Sequence, residues 1–263
     1  MFSIKDLYGL IDGYAPFSLS EEMVRRGEYD NSGIILKSHD QVKAVLFSLD
    51  LSEDAVKTAK RLGCDTIVTH HPAVYYPVKN LSVDDKTTAS LLAAVKNGSN
   101  VISAHLNLDA AVNGIDACLA KGLGAKSFRI IDILCEGCGY GREFSLRLPL
   151  NEIKKTIKQN FKTDKIIAYG KRGVTVLKVA SFCGGGSSHA LDYVKKGITD
   201  ADLIVSSDMP HHVIKELTEY GKSIIILPHY VAEEYGFKKF YEAISVGLSD
   251  GVKAYYFSDK RFF

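Results

Sequence analysis

Residues 43–72 read KAVLFSLDLSEDAVKTAKRLGCDTIVTHHP. The segment 43–49 is a short apolar run, as expected of a buried strand. Ser52 then offers a capping hydroxyl, Val56, Ala59 and Leu62 recur on one helical face, and Gly63 stops the pattern, which predicts a helix over 52–62. The run DTIVT at 65–69 is rich in β-branched residues and predicts a second buried strand. It leads directly into His70-His71-Pro72. Strand, helix and strand within thirty residues form a βαβ unit, and the rest of the chain is read from it.

The same grammar continues on both sides. A helix near Lys86–Lys96 closes at Asn97-Gly98, followed by a strand at 100–104 and a helix at 115–122. The second half repeats it, with strands at 174–182, 201–206, 223–227 and 252–257. Helices lie between them at 187–196, 211–220 and 231–246. Such alternation predicts an α/β fold with largely parallel pairing. KTAKRLGCDTIVTHHP and DYVKKGITDADLIVSSDMPHH look alike, which hints at two related lobes. Strands at 128–133 and 144–148 flank a Gly- and Cys-rich stretch, 135–141, which reads as a loop; Pro149 closes the second strand because it cannot donate to a central ladder. A lobe boundary is placed just before that stretch. One lobe comprises residues 1–125 with 223–263 and the other 126–222, packed together and not loosely tethered.

The chain has 263 residues, enough to bury a full core. Hydrophobic residues make up 46% and charged residues 24%, which excludes a disordered, collagen-like or disulfide-scaffold protein. With 33 basic and 31 acidic residues the net charge is +2, too small a field for non-specific nucleic-acid binding. No apolar stretch is long enough for a membrane span, and the N-terminus does not have the pattern of a signal peptide. Five Cys at low density suit a reducing compartment, so a cytoplasmic protein is expected.

Three apolar strands run into metal-ligating side chains. DTIVT ends in His70-His71, NVISA in His105-Leu106-Asn107-Leu108-Asp109, and SIIIL in Pro228-His229 with Glu233 four residues on. In open α/β sheets, ligands bind beyond the carboxyl ends of the strands, so the three ends are expected to share one crevice. Imidazole and carboxylate suit Zn, Fe, Mn, Co or Ni, and no thiolate is near these positions. His229 and Glu233 are spaced to share a helix face, whereas Pro72 forces His71 into an extended or turn conformation. A single His after a strand is as a rule a hydrogen-bonded structural residue, and His-x-x-x-Glu alone is an ordinary surface pair. The joint placement at three strand ends points to a metal. Three His and two carboxylates exceed the three protein ligands usual for one catalytic Zn and fit a two-metal site better.

These segments carry a resemblance. Tyr14-Ala15-Pro16 with Tyr29-Asp30-Asn31-Ser32-Gly33, Thr69-His70-His71-Pro72, Ala104-His105-Leu106-Asn107-Leu108-Asp109, residues 202–212 and Pro228-His229-Tyr230-Val231-Ala232-Glu233 follow one another in the order found in the Nif-three-like family, also labelled GTP cyclohydrolase 1 type 2 homologues. Tyr29 stands where that family has Trp, Ser206-Ser207-Asp208 where it has Thr-Gly-Glu, and Pro228 where it has Gly. The resemblance implies two α/β lobes with a dinuclear metal cleft between them, and a toroidal homohexamer. By motif, the ligands would be His70, His71, Asp109, His229 and Glu233, with His105 close by on the substrate side. The reading is then a metal-dependent hydrolase with two divalent ions per subunit, acting on GTP or a related nucleotide or phosphate-containing small molecule, with His105 or His212 moving the proton. The alternatives are a metal carrier or insertion protein, and a regulatory protein-binding scaffold without catalysis.

Three further features carry weaker signals. Gly184-Gly185-Gly186 after a strand reads as a tight turn into a helix; its N–H groups could hold phosphate, but no Walker lysine follows. Cys135-Glu136-Gly137-Cys138 is a lone CxxC without a second pair for Zn and reads as a reduced loop pair. His189 and His211 are candidates to extend the cleft.

Overall fold

The computed structural model describes residues 1–170 and 175–263; Val174, expected to begin a strand, lies outside them. In chain order the elements begin with helices α1 (Ile4–Tyr14) and α2 (Phe17–Arg25). They continue β1 (Gly33–Leu36), β2 (Ala44–Ser48), α3 (Glu53–Leu62), β3 (Thr66–Thr69), α4 (Lys86–Lys96), β4 (Asn100–Ser103), α5 (Leu106–Ala110) and α6 (Ile115–Gly122). Then follow β5 (Arg129–Cys135), β6 (Cys138–Pro149), α7 (Leu150–Phe161), β7 (Ile167–Tyr169), β8 (Thr175–Ser181), α8 (Ser187–Lys195), β9 (Leu203–Ser206), α9 (His211–Glu219), β10 (Ser223–Ile226), α10 (His229–Gly247) and β11 (Lys253–Phe257). The fold is mixed α/β with two sheets, in agreement with the sequence. The chain divides into two units, residues 1–111 with 237–258, and residues 112–236 with 259–263.

In the first unit the strand order is β1-β4-β3-β2-β11, with β1 antiparallel and the rest parallel. Ser52 caps α3 by accepting from the Ala55 amide at 3.1 Å, and Gly63 ends it at φ 71°. Both are local features the sequence announces. Leu46, Ile67 and Val101 pack with Ala55, Val56 and Ala59 of α3 on one face of the sheet. Phe47, one residue along and therefore on the opposite face, meets Phe237 and Phe240 of α10 at 6.4 and 5.9 Å between ring centroids. A sheet covered on both faces needs continuous apolar strands, and β2, β3 and β4 are buried at every position.

The second unit has the order β5-β6-β8-β9-β10-β7. Only the β8–β9 and β9–β10 pairings are parallel; β5–β6, β6–β8 and β10–β7 are antiparallel. Largely parallel pairing therefore holds for the first sheet and for the centre of the second, not for its edges. The stretch 135–141 is not an open loop. β5 turns through Glu136-Gly137 straight into β6, with Cys135 opposite Cys138 and Ile133 opposite Gly139. Gly141, at φ 72°, lies where a Cβ would overlap the Phe182 ring. The glycines that suggested a loop are instead what lets the strand pack closely. The long helix α10 starts at His229, two residues before the expected 231, so His229 is itself helical. No described helix is long and apolar enough to cross a membrane.

Candidate metal centre

Strands β3 and β4 are parallel neighbours, with Thr69 opposite Ser103. Their carboxyl ends are therefore adjacent, about 4.8 Å apart in the hydrogen-bonding direction. The amides of His70 and His71 both donate to the Leu49 carbonyl, at 3.1 and 3.0 Å, and this turns the chain so that the adjacent imidazoles diverge. Their ring centroids lie 4.9 Å apart. After β4, His105 precedes the short helix α5, which carries Asp109 one turn on. His105 stands 5.2 Å from His70 and 5.8 Å from His71, centroid to centroid. One ring nitrogen of each of these three residues lies within 4.8 Å of the other two.

Each imidazole is oriented by an oxygen at Nδ1. His70 Nδ1 is 2.8 Å from the Ala104 carbonyl, His71 Nδ1 2.6 Å from Asp50 Oδ1, and His105 Nδ1 2.7 Å from Asp30 Oδ1. Acceptors on all three fix the Nδ1–H tautomer and turn each Nε2 lone pair outward, the arrangement typical of metal-ligating His. His70 Nε2 then faces Asp109 Oδ1 at 3.5 Å, with both side chains buried. Two acceptor atoms meeting in a buried place call for a cation, whether proton or metal.

In the second unit, β10 delivers His229 and α10 places Glu233 one turn further. His229 Nδ1 is 2.6 Å from Asp208 Oδ2, and its Nε2 is 2.9 Å from Glu233 Oε2. Glu233 is buried. The pattern repeats: an imidazole whose Nδ1 proton is committed to an acceptor presents Nε2 to a buried carboxylate. Gly184 lies against this pair. At φ 56°, its missing Cβ would fall 2.7 Å from Glu233 Oε1. Of the three glycines in the turn, Gly184 is thus the one packed directly against the Glu233 carboxylate.

The remaining sequence candidates are less central. His212 is an exposed residue in the first turn of α9, next to His211. His189, on α8, packs its ring against Tyr140 and Tyr193 at 5.7 and 6.2 Å. Sequence reasoning assigns no role to the carboxylates Asp50, Asp208 and Asp30. Asp50 and Asp208 follow β2 and β9, the neighbours of β3 and β10, so the strand-end rule that picked out the histidines reaches them too. The Asp30 side chain is wholly buried and also accepts from Ser20 and Ser32. Ser32 Oγ in turn accepts from the His105 amide at 3.0 Å.

Beside His71 opens a cavity of about 600 Å³ whose lining includes Asp50, Tyr75, Tyr76, Lys79 and Lys86. The donor set of imidazoles and carboxylates with no thiol suits a borderline divalent ion, so the residues present fit a metal of that class.

Several known proteins resemble this chain along most of its length. A protein named GTP cyclohydrolase 1 type 2 homolog from Clostridium perfringens is 27% identical over 235 residues, 88% of this chain and 86% of that protein. NIF3-like protein 1 of Drosophila melanogaster is 24% identical over 91% of this chain and 81% of its own length. Among solved structures, reduced HcgD from Methanocaldococcus jannaschii superposes with a TM-score of 0.82 at 26% identity, covering 98% of both chains. A Bacillus cereus protein related to NIF3 reaches 0.85 at 18% identity over 98% of this chain and 97% of its own, a likeness of fold. The family model described as Duf34/NIF3 (NGG1p interacting factor 3) matches residues 2–260, and the chain belongs to that family.

Proposed function

We propose that this chain binds two divalent metal ions and uses them to hydrolyse a phosphate-containing small molecule, GTP or a related nucleotide being the first candidate. His70, His71 and Asp109 in the first unit and His229 and Glu233 in the second are the ligands. The observation that carries this reading is the double commitment of His70 and His229. In each, Nδ1 is held by an acceptor oxygen while Nε2 meets a buried carboxylate. When bound, such ions polarise the attacked group and lower the pKa of water.

The chain's own residues then have distinct tasks. Asp50 and Asp208 hold the tautomers of His71 and His229. His105, with Nδ1 on Asp30 and its other nitrogen outward, moves the proton. Lys79 and Lys86 in the neighbouring cavity supply positive charge for a phosphate, and Tyr75 and Tyr76 supply ring surface for a planar base. The GTP cyclohydrolase name borne by relatives favours the nucleotide class. We also propose a homohexamer, on the family resemblance.

Metal content per chain by mass spectrometry, on protein purified without a His tag, tests the reading, with Asp109→Ala and Glu233→Ala alongside. About two ions in the parent and loss in both variants are expected. Failure to retain Zn, Mn or Fe after reloading overturns it. Release of product from GTP or a phosphoester by the loaded parent separates an enzyme from a metal carrier.

A further inference from the structure

Cys135 ends β5 and Cys138 begins β6, and the two are paired across the hairpin with only Glu136 and Gly137 between them. Gly137, at φ 74°, makes the tight turn. Directly opposed Cα atoms of antiparallel strands stand about 4.5–5.5 Å apart, within the span of about 4.4–6.8 Å that a disulfide bridges. Directly opposed side chains of an antiparallel pair lie on the same face of the sheet, so the two thiols are neighbours; burial and the adjacent Cys135 thiol push the Cys138 thiol up. Cys135 is exposed, whereas Cys64, Cys118 and Cys183 are buried. An oxidant arriving from solvent therefore meets Cys135 first, with a second thiol waiting behind it. Two thiols fall short of the four ligands of a structural Zn site.

We propose that Cys135 and Cys138 form a reversible dithiol–disulfide site, oxidised by a low-molecular-weight disulfide such as oxidised glutathione. The Cys135 thiolate attacks one sulfur of that disulfide; a mixed disulfide forms and one thiolate leaves. Cys138 then gives its proton to water and attacks the Cys135 sulfur; the protein disulfide forms and the second thiolate leaves. Two protein thiols are oxidised and one small disulfide is reduced to two thiols. The closed ring spans only four residues of a hairpin whose ladder already fixes them. The bond therefore removes little chain entropy, and the pair passes between states without refolding.

The test uses the full-length protein in graded mixtures of reduced and oxidised glutathione, with acid quenching, alkylation and peptide mass mapping. The peptide holding both residues is expected to take up no alkyl group at the oxidising end, weighing two hydrogens less than the unmodified sequence, and to carry two alkyl groups at the reducing end. Cys138→Ser stops with glutathione bound at Cys135, and Cys135→Ser gains no adduct at Cys138. Circular dichroism checks that both variants fold, and the parent's map alone decides if either does not. The proposal is overturned if both thiols of the parent stay alkylatable throughout. Glutathione on Cys135 with Cys138 still reactive, or a bridge that appears only in urea, overturns it equally. None of these outcomes depends on metal binding or hydrolysis.

Discussion

Asp50 Oδ1 lies 2.6 Å from Nδ1 of His71, although the two residues sit on different strand ends and 21 positions apart. The carboxylate fixes the orientation and tautomer of the His71 ring. Its side chain is 44% exposed, so its removal leaves no buried hole. Asp50→Ala is therefore expected to weaken metal binding by about 10–100-fold while the unfolding midpoint in urea hardly moves. Competition with a chromogenic chelator, beside a urea melt, reads both quantities. Unchanged affinity would show that His71 needs no such support.

How legible this was depends on distance along the chain. β3 and α3 were readable because their determinants are local: the TIVT run, the Ser52 hydroxyl and the Gly63 stop. The imidazoles were readable because each follows an apolar strand. The partners Asp50, Asp208 and Asp30 were not assigned, since their contacts depend on which strands become neighbours. The β5–β6 hairpin reads as a loop in the sequence because Gly139 and Gly141 look like turn residues. They are there because Cβ atoms would collide with the Asp132 carbonyl and the Phe182 ring, a constraint visible only after pairing. The apolar periodicity predicts the long helix only from 231, whereas α10 starts directly after Pro228, at His229, as the four-residue spacing to Glu233 requires.

Asp30 makes stability pH-dependent. Burial alone would raise its carboxyl, but the hydrogen bond and charge of His105, joined by Ser20 and Ser32, hold it below the ordinary carboxylate range. A depressed folded value means the contribution is present above the unfolded value of about 3.9. It is lost as pH falls through the folded value. Asp30→Asn, which carries no charge at any pH, is expected to lose stability less steeply than the parent below about pH 4. Urea unfolding across that range checks it; parallel curves for the two proteins would show that Asp30 is not the group responsible.

Arg142 and Asp116 form an ion pair with both side chains wholly buried, 3.1 Å apart, in the second unit. The same Nη1 donates to the Gly139 and Gly141 carbonyls, and Asp116 accepts from the Cys183 amide. The pair thus ties α6 to β6 and to the turn after β8. Asp116→Ala strands a guanidinium in the core, at an expected cost of about 3–5 kcal/mol. Adding Arg142→Met is expected to restore most of that loss, since an apolar replacement has no charge to desolvate. Chemical denaturation of the two variants decides. A single-variant loss below about 1 kcal/mol would mean that water reaches the pair.

Gly184 offers a way to move Glu233 without touching it. Two costs meet at this position. Alanine at φ 56° carries backbone strain of about 1–2 kcal/mol. Its Cβ would also stand 2.7 Å from Glu233 Oε1, so the carboxylate must shift. Asparagine tolerates the left-handed region better but brings the same Cβ. Gly184→Ala is therefore expected to lose both stability and metal affinity, while Gly184→Asn keeps more of the stability and loses the affinity alike. Gly185→Ala is the control, with nothing within 4 Å of its Cβ and no positive φ, and should change neither. Thermal melts with and without added Zn or Mn separate the two effects. If Gly184→Ala gains as many degrees from metal as the parent does, Gly184 does not position Glu233, and its left-handed φ alone is the reason for a glycine there.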